Sequence, residues 1–316
     1  MAVKKTAMLF PGQGSQFVGM GRDLIERFPA AAELYRQADE ILHMKFSRLC
    51  FEGDPDVLTE TRNAQPAILL HSVAAARILR EEAGIEPAIA AGHSLGEYSA
   101  LACAGALDPL DALRIVRRRG ELMFEAGLRQ PGTMAAIIGL EREVVDQVCA
   151  EAAAGGRTVV TANINAPGQI VVSGHIEAVE DAMRIAEAKG ATKVVRLNVS
   201  GAFHSPLVEP AQKELVEYIR SFPVQETAVG VVCNADARIV RTAAEIVDAL
   251  SRQLTSPVLW SDSMTVLADR WDGEIMEVGP GRVLAGLMKR IRRDRPVAAV
   301  GTAEQVAAAI EAVTVA

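Results

Sequence analysis

The apolar positions of this chain fall into two kinds of pattern, short unbroken runs and helical stripes. Thr6-Ala7-Met8-Leu9-Phe10 is a short apolar run and predicts a buried strand. It breaks at Pro11-Gly12-Gln13-Gly14-Ser15-Gln16, a turn too rich in glycine for regular structure. From Asp23 to Leu42 the apolar residues Leu24, Ile25, Phe28, Leu34, Tyr35 and Ala38 recur at helical spacing, with Pro29 dividing two helices. Leu49 to Pro55 reads as a loop. Thr61 to Glu82 predicts one long helix, with Pro66 in its first turn and Gly84 ending it. Its apolar face carries Ile68, Leu69, Val73, Ala76 and Leu79. Ala88 to Ala91 is a second apolar strand, Glu97 to Cys103 a helix, and Asp108 to Glu125 another, which includes Arg114, Arg117, Arg118 and Arg119.

The polar stretch Gly127 to Gly132 is a candidate boundary, because the order of elements changes beyond it. Thr133 to Leu140 is a strand, Glu141 to Ala154 an amphipathic helix, and Thr158 to Asn163 and Gln169 to Ser173 are strands split by the turn Ala166-Pro167-Gly168. Ile176 to Lys189 is a helix and Thr192 to Asn198 a strand. This βαββαβ order is the ferredoxin-like, split-βαβ unit. The earlier rhythm then resumes. Ser205 to Ile219, Ala243 to Leu254, Ser261 to Ala268, Val283 to Ile291 and Ala303 to Val313 read as helices, and Val229 to Cys233, Glu274 to Val278 and Val297 to Val300 as strands. Strands alternating with helices imply a mainly parallel sheet covered on both faces. The fold class is therefore α/β. Residues 1–127 and 199–316 form the catalytic core, and residues 128–198 an inserted ferredoxin-like subdomain.

Composition narrows the class. The 316 residues are 50% hydrophobic and 23% charged, as expected of a soluble globular protein with a substantial core. No apolar run approaches the roughly 20 residues of a membrane span. Met1-Ala2-Val3-Lys4-Lys5 leads straight into strand-like sequence with no signal-peptide pattern, so the expected location is the cytoplasm. The formal net charge of −7 argues against general affinity for nucleic acid. Cys50, Cys103, Cys149 and Cys233 lie far apart and read as buried free thiols, neither a disulfide framework nor zinc ligands. The five histidines show no metal-binding spacing, so no metal is expected.

The chemistry centres on Gly92-His93-Ser94-Leu95-Gly96, a G-x-S-x-G pattern between a strand and a helix. That context is the nucleophile elbow of an α/β-hydrolase-like core. Glycines on either side let neighbouring backbone pass while a serine hydroxyl projects from a strained turn. The turn also aims the main-chain N–H of Leu95 at an oxyanion formed beside Ser94. Gln13, between two glycines, offers a second main-chain N–H, although its loop reads equally well as a plain strand-to-helix connection. A serine of ordinary acidity needs a base. His93 adjoins Ser94, but neighbours at a sharp elbow point apart. His204, in Gly201-Ala202-Phe203-His204-Ser205-Pro206, lies in a loop after a strand and before a helix, where catalytic groups often sit. The alternative for His204 is a histidine whose polar atoms are satisfied locally.

These residues resemble the malonyl-CoA:acyl carrier protein transacylases of fatty acid synthesis over nearly the whole chain. The motifs that carry the resemblance are Phe10 to Gln16, Gly92 to Leu101, Arg118-Arg119-Gly120, Ala202-Phe203-His204, Arg252-Gln253-Leu254 and Glu277-Val278-Gly279-Pro280-Gly281. The resemblance implies Ser94 as nucleophile, His204 as general base, and Gln253 as the group that accepts the other ring N–H of His204. It implies the main-chain amides of Gln13 and Leu95 as the oxyanion hole. Arg119 would pair with the free carboxylate of the malonyl group, as a planar guanidinium can with two parallel hydrogen bonds. Successive helix residues point about 100° apart, so of the arginines around Arg119 only one or two can face the core. Phe203 before His204 and Leu95 after Ser94 resemble the malonyl-selecting pattern, and Asn163 would line the cleft.

The resemblance further implies malonyl-CoA and an acyl carrier protein as partners, no cofactor, and a monomer. Lys289, Arg290, Arg292, Arg293 and Arg295 concentrate positive charge that could steer an acidic carrier or simply form a solvated helix face. Two other readings share the elbow. One is a free-standing acyltransferase that loads a polyketide carrier. The other is an esterase or thioesterase, which predicts an Asp or Glu partner for the histidine and no need for Arg119.

Overall fold

The computed structural model describes residues 3–199 and 201–314; Met1, Ala2, Ser200 and residues 315–316, which fall within the spans read above, lie outside the described residues. Its strands are β1 (Lys4–Phe10), β2 (Ile85–Gly92), β3 (Gly132–Ile138), β4 (Val159–Ala166), β5 (Gln169–His175), β6 (Lys193–Arg196), β7 (Gly230–Val232), β8 (Ile239–Val240), β9 (Ile275–Val278) and β10 (Val297–Val300). They form two sheets. The larger has the order β10-β9-β1-β2-β7-β8, parallel throughout except for the β7–β8 pair. In the smaller, β4-β5-β3-β6, every pair is antiparallel. The helices Arg142–Ala152 and Ile176–Ala188 cover one face of it, around a core of their own that includes Val145, Val148, Ala178 and Val179. The class is thus mixed α/β, with the split-βαβ unit where its pattern of elements predicts it.

The strands of the large sheet are apolar runs because both faces are covered. From Thr6 onward every residue of β1 is buried. One layer is built on the helix Thr61–Ala83, buried along nearly its whole length from Thr61 to Leu79. The other is built around Val258, Trp260, Met264 and Leu267. Pro66 stands inside the long helix, beyond the first turn expected for it. Lacking an N–H, it leaves the carbonyl of Arg62 without its helical donor, and Arg117 Nη1 donates to that oxygen at 3.0 Å instead. The same contact brings in the helix Pro109–Arg129, capped by the Asp108 side chain. Gly120 makes the approach possible, since a Cβ there would lie 2.7 Å from Arg62 Cα and from the Thr61 carbonyl oxygen. Arg119 is thereby pressed into the helix–helix contact.

Several local expectations need correction. The segment expected as a loop from Leu49 is the end of a helix, Phe46–Glu52, followed by the short helix Pro55–Thr59 with Asp54 as its N-cap. Phe46 and Cys50 bury one face, but the helix is too short for its period to stand out. The helix Pro109–Arg129 runs past Gly127, so the polar stretch begins as its last turn. Ser205 to Ile219 is divided into a 3₁₀ turn, Pro206–Val208, and a helix, Glu209–Arg220, because Pro210 cannot donate within a continuous helix. The two-residue strand β8 was not foreseen. All four cysteines are free; Cys103 is half-buried and the others are buried. No helix among the described residues is long and apolar enough to cross a membrane.

Candidate active site

Parallel strands expose their functional loops at their carboxyl ends, and here β1, β2, β7 and β9 all open toward one cleft. A cavity of about 340 Å³ lies there, lined by Gln13, Ser94, Leu95, Arg119, Asn163, Phe203 and His204 among others. Gln253 does not reach its wall.

The elbow follows from steric necessity. Ser94 has φ of 52°, a left-handed conformation that costs energy in a non-glycine residue. A Cβ on Gly92 would fall 1.9 Å from the Gly96 carbonyl, and one on Gly96 would fall 2.2 Å from the Phe10 carbonyl oxygen. Both positions therefore require glycine. The Ser94 main chain is held from both sides. Its N–H donates to Asn234 Oδ1 at 2.7 Å, and its carbonyl accepts from Gln253 Nε2 at 3.0 Å. Asn234 also donates its Nδ2 to the Gly92 carbonyl at 2.7 Å, closing the clamp across the turn.

Ser94 Oγ lies 2.8 Å from His204 Nε2. His204 Nδ1 lies 3.1 Å from each of two main-chain carbonyl oxygens, those of Gln253 and Ser256. Both can only accept, so the ring proton sits on Nδ1 and Nε2 presents a lone pair to the serine hydroxyl. Burial, reinforced by the charge of Arg119 and by His93, lowers the His204 pKa to about 3. The imidazole is therefore neutral at neutral pH and free to take a proton. Gln253 thus stands at the other ring nitrogen as expected, and the atom that faces it is the main-chain carbonyl oxygen. The helix Ala243–Gln253 ends there, and its last carbonyls lack helical donors.

The Gln253 side chain turns instead toward the elbow and Arg119. Arg119 is 1% exposed, the only arginine of its cluster to be fully buried. Arg114, Arg117 and Arg118 pair with Asp111, Glu121 and Glu214 respectively. Arg119 Nη1 donates to Gln65 Oε1, and Nη2 donates to Ser94 Oγ at 3.0 Å and Gln253 Oε1 at 3.1 Å. Its guanidinium carbon lies 5.6 Å from the centre of the Tyr98 ring. Desolvation lowers its pKa from the usual arginine value, yet arginine keeps its proton at neutral pH. Nε–H has no hydrogen-bond partner among the described residues. A buried cation thus touches the candidate nucleophile and keeps a donor in reserve.

Neither Gln13 nor Leu95 uses its main-chain N–H in a hydrogen bond among the described residues, and both line the cavity. Gln13 is held through its side chain, which accepts from Thr61 Oγ1 at 2.7 Å; Thr61 in turn accepts from Gln65 Nε2 at 2.8 Å. Asn163 lies on β4 and forms a parallel bridge with Val258, which ties the small sheet to the segment between the helices Ala243–Gln253 and Trp260–Arg270. Phe203 is 4% exposed, lines the cavity and packs on the main core. His93 turns away from Ser94; its Nε2 lies 2.8 Å from Asn165 Oδ1 and its ring packs on Trp260. At the mouth, the helix Val283–Ile291 contributes Leu284 and Leu287 to the wall and leaves Lys289 and Arg290 exposed. Arg292 is occupied by Asp269 and Asp294, and Arg295 by the Trp271 and Gly273 carbonyls. No group of three or more His, Cys, Asp or Glu among the described residues is placed to hold a metal ion.

Sequence reasoning missed Gln65, Glu97, Asn165, Asn234 and Ser256. Signals existed for some of them. Glu97 falls within the motif Gly92 to Leu101, and Asn234 follows the carboxyl end of a parallel strand. Glu97 is 1% exposed and accepts from Gln253 Nε2 at 2.8 Å and the Asn234 main-chain N–H at 3.1 Å. Burial pushes its carboxyl up to about 7 against the pull of these bonds.

The family model described as an acyl transferase domain matches residues 7–314. The malonyl CoA-acyl carrier protein transacylase of Bacillus subtilis (strain 168) is 45% identical over 309 residues, 98% of this chain and 97% of that protein. The structure of malonyl-CoA:acyl carrier protein transacylase from Xanthomonas oryzae pv. oryzae superposes with a TM-score of 0.94 at 40% identity and covers 99% of each chain. A malonyl-transacylase solved in complex with its type II PKS acyl-carrier protein gives a TM-score of 0.93 at 40% identity, over 98% of this chain and 100% of that one.

Proposed function

We infer the function from one premise: the chain belongs to the acyl transferase domain family. Its reaction is the transfer of a malonyl group from malonyl-CoA to the phosphopantetheine thiol of an acyl carrier protein, in fatty acid synthesis. One observation supports this reading above the others. A single oxygen, Ser94 Oγ, lies within hydrogen-bond reach of both a neutral imidazole (His204) and a buried guanidinium (Arg119). The first equips a serine for acyl transfer; the second fits an acyl group that carries its own carboxylate.

In the first half-reaction His204 Nε2 takes the Ser94 proton as Oγ forms its bond to the thioester carbonyl carbon. The oxyanion accepts hydrogen bonds from the main-chain N–H groups of Gln13 and Leu95. The C–S bond breaks, the CoA thiolate takes the proton from His204, and a malonyl ester remains on Ser94. In the second half the carrier thiol gives its proton to His204, sulfur attacks the ester carbonyl, and the C–O bond to Ser94 breaks, with the proton returning to the serine oxygen. Arg119 grips the malonyl carboxylate throughout, which also offsets the positive charge that weakens His204 as a base. The two main-chain carbonyls at Nδ1, at the end of a helix, favour the imidazolium formed at each step. Phe203 and Asn163 shape the wall against which the acyl group rests. No cofactor takes part, because the phosphopantetheine belongs to the carrier.

Residues 1–127 and 199–316 act as the catalytic core, residues 128–198 as a small subdomain that closes one side of the cleft, and the site of action is the cytoplasm. An esterase reading is disfavoured, because His204 Nδ1 faces carbonyls and not a carboxylate. A polyketide carrier is the one alternative acceptor that an observation favours, namely the likeness to the transacylase solved with a type II PKS carrier. The test mixes the protein with malonyl-CoA, then with a panel of holo carrier proteins, and follows the malonyl mass. Transfer to a fatty acid carrier at the highest rate supports the reading. Transfer only to polyketide carriers would reassign the acceptor, and no malonyl transfer at all would refute it.

A further inference from the structure

The Gln253 amide sits between two groups of opposite character. On one side Arg119 Nη2 can only donate, and it meets Oε1 at 3.1 Å. On the other side Nε2 meets the Ser94 carbonyl at 3.0 Å, which can only accept, and Glu97 Oε2 at 2.8 Å, which the Asn234 main-chain N–H also approaches and which is thereby held as an acceptor. An amide has one oxygen edge and one nitrogen edge, and its neighbours alone decide which way it faces. We propose that Glu97 is a positioning residue for acid selection: by fixing the direction of the Gln253 amide, it holds Arg119 where a carboxylated acyl group is gripped. The proposal rests on the reading of Arg119 as the carboxylate-binding group.

Two features give Glu97 this role over the Ser94 carbonyl. Its Oε2 lies nearer to Nε2, at 2.8 Å against 3.0 Å for the carbonyl, and it also receives the Asn234 main-chain N–H at 3.1 Å. Asn234 and Gln253 hold the Ser94 main chain through their side chains, so one buried oxygen registers both of them. With that oxygen gone, a single neutral carbonyl remains to hold Nε2, and the amide can turn its nitrogen toward Arg119. Two donors would then face each other, and the guanidinium must move away from Gln253. Acyl groups without a carboxylate do not use Arg119, so their loading depends on Glu97 far less.

The experiment compares Glu97→Met, which keeps the length but removes the acceptor, with Glu97→Gln, which keeps an oxygen at the shared position. Ser94 loading from malonyl-CoA and from acetyl-CoA is measured by rapid quench and intact mass on the full chain. Glu97→Met should lower the malonyl-to-acetyl loading ratio roughly tenfold, the scale of one charge-assisted hydrogen bond. Glu97→Gln should keep the ratio within about threefold of the parent, since the hydrogen-bond pattern survives. Equal losses of both acyl groups in Glu97→Met would overturn the proposal and leave Glu97 as plain support for the elbow. If Glu97→Met does not fold, Glu97→Asp, whose carboxylate is withdrawn by one methylene, should shift the ratio in the same direction; an unchanged ratio in a folded Glu97→Asp would overturn it equally. A parent with no preference for malonyl would refute the reading of Arg119 as the carboxylate-binding group, and this proposal with it.

Discussion

Removing the Arg119 guanidinium should separate selection of the acyl group from acyl transfer. In the free protein Arg119 donates to Gln65, Gln253 and Ser94 Oγ, and its Nε–H has no partner among the described residues. A malonyl carboxylate that engages two of its N–H groups makes two charge-assisted hydrogen bonds, each worth about 1.5–3 kcal/mol. Part of this is offset by desolvation of the carboxylate, so a net loss of about 3 kcal/mol is expected on truncation, or roughly a 10²-fold fall in malonyl loading. Acetyl loading forgoes only the contact to Ser94 Oγ and should fall by less than about tenfold. Arg119→Lys keeps the charge but loses the planar fork, so malonyl loading should fall by about tenfold. Arg119→Ala also leaves the amide oxygens of Gln65 and Gln253 buried without their donor. Thermal unfolding must therefore show that the variant is folded before rates are compared. The assay is rapid-quench intact mass with malonyl-CoA and acetyl-CoA in parallel. Equal falls for the two acyl groups would refute the reasoning and leave Arg119 a structural part of the helix contact.

Asn234→Ala should cost about 2–4 kcal/mol of stability in urea denaturation, because it orphans the Ser94 N–H and the Gly92 carbonyl together; a change below about 0.5 kcal/mol would contradict the clamp. Stability should fall as pH drops from about 6.5 toward 4. Burial holds the His71 pKa down to about 4 and that of His204 to about 3. The unfolded chain therefore binds protons in that window that the folded chain does not, and stability rises with pH through it. The slope is at most about 1.4 kcal/mol per pH unit for each histidine, and the Glu97 carboxyl, raised to about 7, offsets the contribution of one of them above about pH 4.5. His71→Gln should flatten this slope, and identical urea midpoints at pH 7 and pH 5 in the parent would contradict it. Charge reversal at Lys289 and Arg290 should slow transfer to an acidic carrier at low salt and weaken its salt dependence; unchanged transfer would remove these residues from the docking surface.

The legible parts of the structure were those written locally. β1 and β2 are apolar runs bounded by turns, and the elbow glycines obey a steric rule that acts within five residues, Gly92 to Gly96. The split-βαβ unit was legible from element order alone. What escaped depends on which strands become neighbours. Asn234 clamps the elbow only because β7 pairs with β2, and nothing near residue 234 in the chain announces that pairing. The sequence pattern places Gln253 at His204 without saying which of its oxygens faces the ring; the end of its helix supplies the main-chain carbonyl there and leaves the side chain to Arg119. Glu97 stood in plain view beside the serine. Its role emerged only when the structure placed Gln253 and Asn234 on the same oxygen. The short helix Phe46–Glu52 escaped for a simpler reason, since it offers one turn of period between Phe46 and Cys50.

The central claim is that Ser94 carries the acyl group, and one measurement tests it most directly. The protein and its Ser94→Ala variant are mixed briefly with malonyl-CoA, quenched in acid, and compared by intact mass. The account predicts a single malonyl adduct on the parent, which a carrier thiol then removes, and none on Ser94→Ala. A malonyl adduct of equal yield on Ser94→Ala would contradict it.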